Sequence, residues 1–253
     1  VDKNKVIIVV GGTGGVGSEI CRKLYEKGHI VICVSRGVTD SLVEFNDRII
    51  HKTCDVSSGD ECKSLVQSIA NEYGRLDALI YSAIGYHYGA PEEHDTAVFL
   101  EVFKGNVFGA NNISNACLPY LKVGSGGNRI CYIGSTAGYQ VLPNRSAYSS
   151  SKASLKMLMM CQAVDWSKYG LSVNMVTTSY VATEYELAGA ESAEWGHSYQ
   201  DIINRTPKKR PAYPREIAES VLWAILDAPD YMTGSDIVVD GGWSAWSGFG
   251  NID

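Results

Sequence analysis

Short runs of apolar, mostly β-branched residues recur along this chain, separated by amphipathic segments, and that alternation limits the fold more than any other feature. The runs are Val6 to Val10, Ile30 to Val34, Arg48 to Lys52, Ala78 to Ser82, Arg129 to Ile133, Leu171 to Val176 and Asp236 to Val239. Between them, Ser18 to Lys27, Asp60 to Tyr73, Ala97 to Leu121, Tyr148 to Lys168 and Pro214 to Leu226 carry apolar residues three and four apart, as core-facing helices do. Strands alternating with helices imply crossover connections and therefore a parallel sheet. The expected fold class is α/β: a doubly wound, seven-stranded parallel sheet with helices on both faces. The 253 residues suit one domain, 1–253, better than two, and no Pro- or Ser-rich linker interrupts them. Ligands of such sheets bind outside the carboxyl ends of the strands, so function is expected in the loops that follow each strand. One stretch, about 179–213, exceeds ordinary loop length and reads as an irregular substrate lid.

Charge narrows the partners. A net charge of -6 offers no electrostatic footprint for nucleic acid or an anionic membrane, and no apolar stretch is long enough for a membrane span. The seven cysteines are odd in number and lack a C-x-x-C pair, which reads as a reduced, cytoplasmic protein. The five histidines show no H-x-x-x-H spacing, and no metal site is expected.

Directly after the first run comes Gly11-Gly12-Thr13-Gly14-Gly15-Val16-Gly17, then a helix. Glycines let the backbone approach a pyrophosphate closely, and the helix offers free N–H groups and the positive end of its dipole. The expected site is thus a Rossmann-like dinucleotide cradle made by Gly11, Thr13, Gly14, Gly15, Val16 and Gly17. At the end of the second strand, where a carboxylate would read a free ribose 2′-OH, stand Ser35 and Arg36, with no acidic residue before Asp40. A hydroxyl beside a guanidinium suits a 2′-phosphate, so the expected cofactor is NADP(H).

Tyr148 and Lys152 lie one helical turn apart at the start of a predicted helix. With 15 tyrosines in the chain such a pair is expected by chance about once, so its context decides. That context is Ser135, closing the fifth strand in Ile133-Gly134-Ser135-Thr136-Ala137-Gly138 a short loop earlier. Both hydroxyls are thereby placed at the carboxyl edge of the sheet, at the nicotinamide end of the expected cofactor.

In this order of motifs the chain resembles the short-chain dehydrogenase/reductase family over essentially its whole length. Gly11, Gly15 and Gly17 match that family's G-x-x-x-G-x-G; Asp55-Val56 looks like its adenine contact; Ser135 precedes Tyr148 by 13 residues and Lys152 completes Y-x-x-x-K. Asn106 falls where the family places a catalytic Asn, Asp240-Gly241-Gly242-Trp243 looks like its C-terminal D-G-G, and Val173-Asn174 with Thr183 is similar to the segment closing over nicotinamide. The resemblance implies a hydride transfer between nicotinamide and a carbonyl or secondary alcohol carbon of a small molecule, in a ketoreductase. Tyr148 is then the general acid/base, Ser135 binds the reacting oxygen, and Lys152 holds the nicotinamide ribose. Asn106 anchors a relay water, and Ser82, Ala83, Ile84, Val181 and Thr183 touch the cofactor. Lys152 and the cofactor's positive ring are expected to pull the Tyr148 phenol below its ordinary value near 10. A homotetramer is implied, with the segments 97–121 and 148–168 in one interface and the C-terminal segment in another.

Two stretches depart from the family. Its usual N-N-A-G is Tyr81-Ser82-Ala83-Ile84 here, with Gly85 one place late, and its P-G is Thr178-Ser179, which implies a more mobile loop on the nicotinamide side. Tyr86, His87, Tyr88, Tyr139, Gln140, Tyr180, Tyr185, Trp195, His197 and Tyr199 fall in the substrate-side loops and suit a hydrophobic or ring-containing substrate, or equally a packed lid or subunit contact. The aromatic tail, with Trp246 and Phe249, would pack on a neighbour or border a pocket. The rival reading is a non-catalytic NADP(H)-binding sensor, which has no need of the Ser135, Tyr148 and Lys152 set.

Overall fold

A computed structural model describes residues 4–37, 48–122, 128–192 and 196–248. Asp40, Trp195 and Phe249 lie outside these residues. Seven strands form one parallel sheet: β1 (Val6–Val10), β2 (Ile30–Ser35), β3 (Ile49–Thr53), β4 (Ala78–Tyr81), β5 (Arg129–Ser135), β6 (Ser172–Thr178) and β7 (Asp236–Val239). Their order is β3-β2-β1-β4-β5-β6-β7, with every neighbouring pair parallel. All seven expected strands are present, with ends displaced by up to two residues.

Alternation along β1 shows why the sheet needs helices on both faces. Val6, Ile8 and Val10 join one buried cluster and Ile7 and Val9 the other, so no strand face is left for water. The first cluster is covered by α2 (Gly59–Tyr73), α4 (Gly109–Leu121) and α5 (Ser146–Trp166). The second is covered by α1 (Gly15–Glu26) and α8 (Pro214–Leu222). Burying a Leu or Ile in either layer contributes about 1.5–3 kcal/mol.

Three local outcomes differ from the sequence reading. The helix expected at Ala97 to Leu121 is α3 (Thr96–Phe103) joined to α4 by a π turn at Lys104–Phe108. The Tyr81 hydroxyl donates to the Gly105 carbonyl there at 2.5 Å, giving one displaced backbone acceptor a partner. The 179–213 stretch is not irregular: it contains α6 (Glu184–Ser192) and α7 (Tyr199–Arg205), the latter opened by a capping box between Ser198 and Asp201. Finally, α1 begins at Gly15 rather than Ser18, which puts the last glycines of the turn inside the first helical turn.

Strand order reverses at β1, whose neighbours β2 and β4 lead to opposite edges of the sheet. The crevice at the carboxyl ends of β1 and β4 is the switch point where such folds place ligands.

Candidate active site

Gly11 occupies that crevice with φ +75°, and a Cβ there would lie 2.6 Å from the Ala83 nitrogen and 2.8 Å from the Ser82 carbonyl carbon. The two chain segments therefore meet backbone to backbone, which only glycine allows. Gly17 is as tightly held, since its Cβ would fall 2.1 Å from the Gly11 oxygen. Gly14 is open, with only the Gly11 oxygen near its Cβ position at 3.5 Å, and it precedes α1 without a side-chain cap. The first amides of α1 thus face an open notch, a cradle whose shape and dipole fit a pyrophosphate. Thr183 borders it from the other side, its methyl 2.5 Å from where a Gly15 Cβ would stand.

The ends of β2 and β3 carry the residues expected to read the adenosine. Arg36 is exposed, and its charge and that of Lys104 bear on Asp55, whose carboxyl is held below its usual range chiefly by the Ser57 backbone amide. Ser35 Oγ lies 2.7 Å from His51 Nε2, a neighbour the sequence reading missed because it comes from the adjacent strand. Val56 is buried, and its carbonyl accepts from Asn112 at 3.0 Å.

Departure from the usual loop after β4 has a simple resolution. Ile84 projects outward, 52% exposed, and the tight position passes to Gly85, whose Cβ would lie 2.9 Å from the Val102 carbonyl oxygen. Asn106, fully buried in the π turn, holds Gly85 from both sides: its Oδ1 accepts from the Gly85 N–H at 2.7 Å and its Nδ2 donates to the Gly85 carbonyl at 2.8 Å. Nδ2 also donates to Ser151 Oγ at 2.8 Å, and Ser151 in turn donates to the Tyr148 carbonyl at 2.7 Å. Both amide hydrogens of Asn106 are thereby engaged.

Ser135 ends β5, and its Oγ accepts from the Ala137 N–H at 3.2 Å and lies near enough to the Tyr148 hydroxyl to favour the phenolate. The turn that follows packs close, for a Cβ at Gly138 would lie 3.1 Å from the Lys152 carbonyl carbon. Lys152 is buried, with Nζ donating to the Ile133 carbonyl at 3.1 Å and standing 5.8 Å from the centre of the Tyr148 ring. Burial lowers its pKa to about 8. The expected lowering of the Tyr148 phenol is not what the protein alone produces: burial raises it well above its ordinary value, and the Ser135 hydrogen bond opposes this only in part.

The Tyr86 ring meets Tyr148 edge-on at 5.0 Å and Tyr185 at 6.3 Å. Arg145, almost fully buried three residues before Tyr148, donates to the Tyr86 hydroxyl at 2.6 Å and to the Pro143 carbonyl at 2.9 Å, and approaches His197 Nδ1 at 3.3 Å. Tyr180 packs on His197 at 5.0 Å and on Trp243 at 5.2 Å. From α6, burial pushes the Glu186 carboxyl up to about 7, with the Arg145 charge opposing. Of the aromatic residues expected in the pocket, Tyr86 packs on Tyr148 and Tyr180 pairs with His197, whereas Tyr139, Tyr185 and Tyr199 are exposed. The sequence reading did not single out Arg145 or Glu186; only the folded loops reveal them.

The segment that departs at Thr178-Ser179 is tied at several points. Ser179 Oγ donates to the Asp240 carbonyl at 3.2 Å, and Val181 bridges to Ala212, with Ala182 N–H donating to the Ala212 carbonyl at 2.8 Å. Asp240 accepts from the Gly242 and Ser244 amides at 2.9 and 2.8 Å, closing the D-G-G turn, whose glycines pack on Thr206, Pro207 and Lys208. Asn174 does not approach the nicotinamide side: it pairs with Cys131, four residues before the Ser135–Thr178 edge, and bonds Met232 and Ser235. Arg205 stacks over Trp246 at 5.4 Å, so that tail residue packs on its own chain.

The fold and this arrangement define a Rossmann-like dinucleotide oxidoreductase. The short chain dehydrogenase family model matches residues 5–192, and the chain belongs to that family, whose members use a nicotinamide cofactor. It is 30% identical over 246 residues to a tropinone reductase homolog of Datura stramonium, covering 94% of this chain and 91% of the relative. An NAD-dependent glycerol dehydrogenase of Listeria innocua is 26% identical over 248 residues, covering 95% of this chain and 94% of the other. Among solved structures, an actinorhodin polyketide ketoreductase variant with NADPH superimposes with a TM-score of 0.87 at 28% identity, covering 96% of this chain and 98% of that one. Among the described residues no helix is long and apolar enough to cross a membrane.

Proposed function

We propose that this chain is an NADP(H)-dependent carbonyl reductase in which Tyr148 delivers the proton. The observation that carries this reading is the convergence of the Ser135 hydroxyl on the buried Tyr148 phenol, with Lys152 Nζ 5.8 Å from the Tyr148 ring centre, at the same carboxyl end of the sheet as the glycine cradle. NADPH, held by the amides of the 11–17 turn, Ser35, Arg36, Asp55, Val56, the 82–84 backbone, Val181 and Thr183, supplies the hydride. Ser135 donates a hydrogen bond to the substrate carbonyl oxygen and sets it beside the Tyr148 hydroxyl. A phenol whose pKa is raised by burial stays protonated at neutral pH, which suits a donor in the reductive direction. Lys152, as a cation, stabilises the phenolate left behind and binds the nicotinamide ribose. With a pKa of about 8 it loses that charge as pH rises through this value, so reduction should weaken on the alkaline side. Asn106 fixes the Gly85 loop and, through Ser151, the Tyr148 backbone.

Arg36 supports NADPH over NADH. The test is turnover of ketones, quinones, sugars and 3-oxoacyl thioesters with each cofactor, for the wild type and Arg36→Asp. Loss of charge-assisted phosphate contacts, on the order of 1.5–3 kcal/mol, should raise the Kd for NADPH about tenfold to a hundredfold and spare NADH. Equal loss for both would remove the 2′-phosphate assignment, and no turnover with either cofactor would remove the reductase reading.

A homotetramer is also proposed. Leu100, Phe108, Met157, Met160 and Val164 are exposed in the segments 97–121 and 148–168 expected to share one interface, and Tyr231 and Val238 are exposed toward the C-terminal end. Light scattering on the eluting protein should give four times the chain mass of 27.5 kDa. A single-chain mass at working concentration would exclude it. The seven free thiols, six of them buried, suit a reducing compartment such as the cytoplasm.

A further inference from the structure

The first amides of α5 have no intrahelical acceptor, as in any helix, and its N-cap residue Arg145 makes no side-chain cap. The first helical bond runs from the Ser149 N–H to the Arg145 carbonyl. The helix presents both Tyr148 and Lys152 within its first two turns, so any looseness at its start is transmitted to the two groups of the proposed chemistry. An acceptor is supplied from more than fifty residues upstream: the Ala147 N–H donates to His94 Nδ1 at 3.4 Å, and Ser146 Oγ lies 2.6 Å from the same nitrogen. His94 is itself buried and braced edge-on by His87 at 5.1 Å and by Phe99 of α3 at 6.4 Å.

We propose that His94 is a positioning residue, its neutral imidazole closing the N-terminus of the helix that carries Tyr148 and Lys152. This inference rests on the reductase reading for its consequence but not for its geometry. A backbone N–H only donates, so the Ala147 contact needs Nδ1 unprotonated, with Ser146 Oγ donating to the same nitrogen and Nε2, buried without a hydrogen-bond partner, carrying the hydrogen of the neutral ring. An imidazolium has no acceptor at Nδ1, and it would set a positive charge against the positive end of the helix dipole. Protonation therefore takes the cap from Ala147. Among the described residues the titratable groups facing the ring are Glu93 and His87, from the same loop. Their Oε2 and Nε2 lie 3.1 and 3.5 Å from the Gly89 Cβ position, and His94 Nε2 lies 3.3 Å from it. Asp95 is turned away, accepting from the Val98 N–H at 3.0 Å, and α5 presents only Ser146 and the Ala147 amide.

The experiment compares the wild type with His94→Asn, which keeps a non-titrating acceptor near the Nδ1 position, and His94→Phe, which keeps the ring and removes the acceptor. Hydrogen exchange at the Ala147 amide reads the cap without reference to turnover. Protection should fall about tenfold in His94→Phe, the order of a lost helix cap, and be held in His94→Asn. In NADPH-dependent reduction, kcat should drop about tenfold in His94→Phe with KM for NADPH within twofold, and recover in His94→Asn. Retained Ala147 protection in His94→Asn remains readable if His94→Phe does not fold. Equal Ala147 protection in all three proteins, lost protection in His94→Asn, or His94→Asn as impaired as His94→Phe would overturn the proposal. The expected exchange pattern in a protein that reduces nothing would leave the cap standing and sink the reductase reading instead.

Discussion

Replacing Tyr148 by Phe should lower kcat on any accepted carbonyl substrate by about a thousandfold, within the range that a positioned proton donor contributes, while Kd for NADPH stays within about twofold. The substitution removes one oxygen and keeps the ring that Tyr86 meets edge-on at 5.0 Å, so the aromatic wall of the site survives. Ser135 continues to accept from the Ala137 amide, so the structural cost is confined to the loss of the phenol oxygen itself. Lys152 keeps its bond to the Ile133 carbonyl, an interaction independent of the phenol. A drop in kcat without a change in cofactor affinity is then the signature of lost proton transfer. Single-turnover rates with saturating NADPH, beside a fluorescence titration of the cofactor, measure the two quantities separately. Turnover within tenfold of the wild type would show that the proton comes from elsewhere, and Tyr148 would become a wall residue.

What the sequence made legible follows from how local each signal is. Strands were readable because burial of both sheet faces makes each a short continuous apolar run, as in Val6–Val10, and helices because one buried face imposes a 3.6-residue period, as in α8. The glycine turn was readable because its constraint lies within seven residues, and Ser135, Tyr148 and Lys152 because their spacing follows from one strand and the next helix. Misses occurred wherever a distant segment supplies the partner. His51 meets Ser35 only after β3 pairs with β2. Arg145 becomes buried only when Tyr86 and His197 close on it, and Asn106 acquires its three bonds only when the Gly85 loop folds against the π turn. The helices of the 179–213 stretch escaped because α6, Glu-Tyr-Glu-Leu-Ala-Gly-Ala-Glu-Ser, shows no clear apolar stripe. The downward shift expected of the Tyr148 phenol relies on Lys152 together with the cofactor's positive ring; in the protein alone desolvation, invisible in a sequence, dominates and raises it.

The glycine cradle permits the second large prediction, because its members differ in what a methyl group would meet. At Gly17 the added Cβ falls 2.1 Å from the Gly11 oxygen and 2.9 Å from the Gly12 Cα, all backbone atoms of the turn itself. Neither can swing aside as a side-chain end would, so the turn must open. Gly17→Ala should therefore lose about 1–3 kcal/mol of stability, a fall of roughly 2–12 °C in Tm for a chain of this size, together with a hundredfold or greater loss of NADPH affinity, about 2.7 kcal/mol. Gly14→Ala is the contrast: its Cβ meets only the Gly11 oxygen at 3.5 Å, an ordinary contact, and its φ of -81° suits any residue. That variant should keep its Tm within about 2 °C, a surface-like change of under 0.5 kcal/mol, yet still bind NADPH more weakly, because the methyl occupies the notch open to the pyrophosphate. Thermal unfolding and cofactor titration on both proteins separate folding from binding. If Gly14→Ala bound NADPH as the wild type does, the phosphates would not lie over Gly14, and the open notch at the start of α1 would lose its assignment. If Gly17→Ala were as stable as the wild type, the contact between the Gly11 carbonyl and the first turn of α1 would not be the constraint that keeps glycine there.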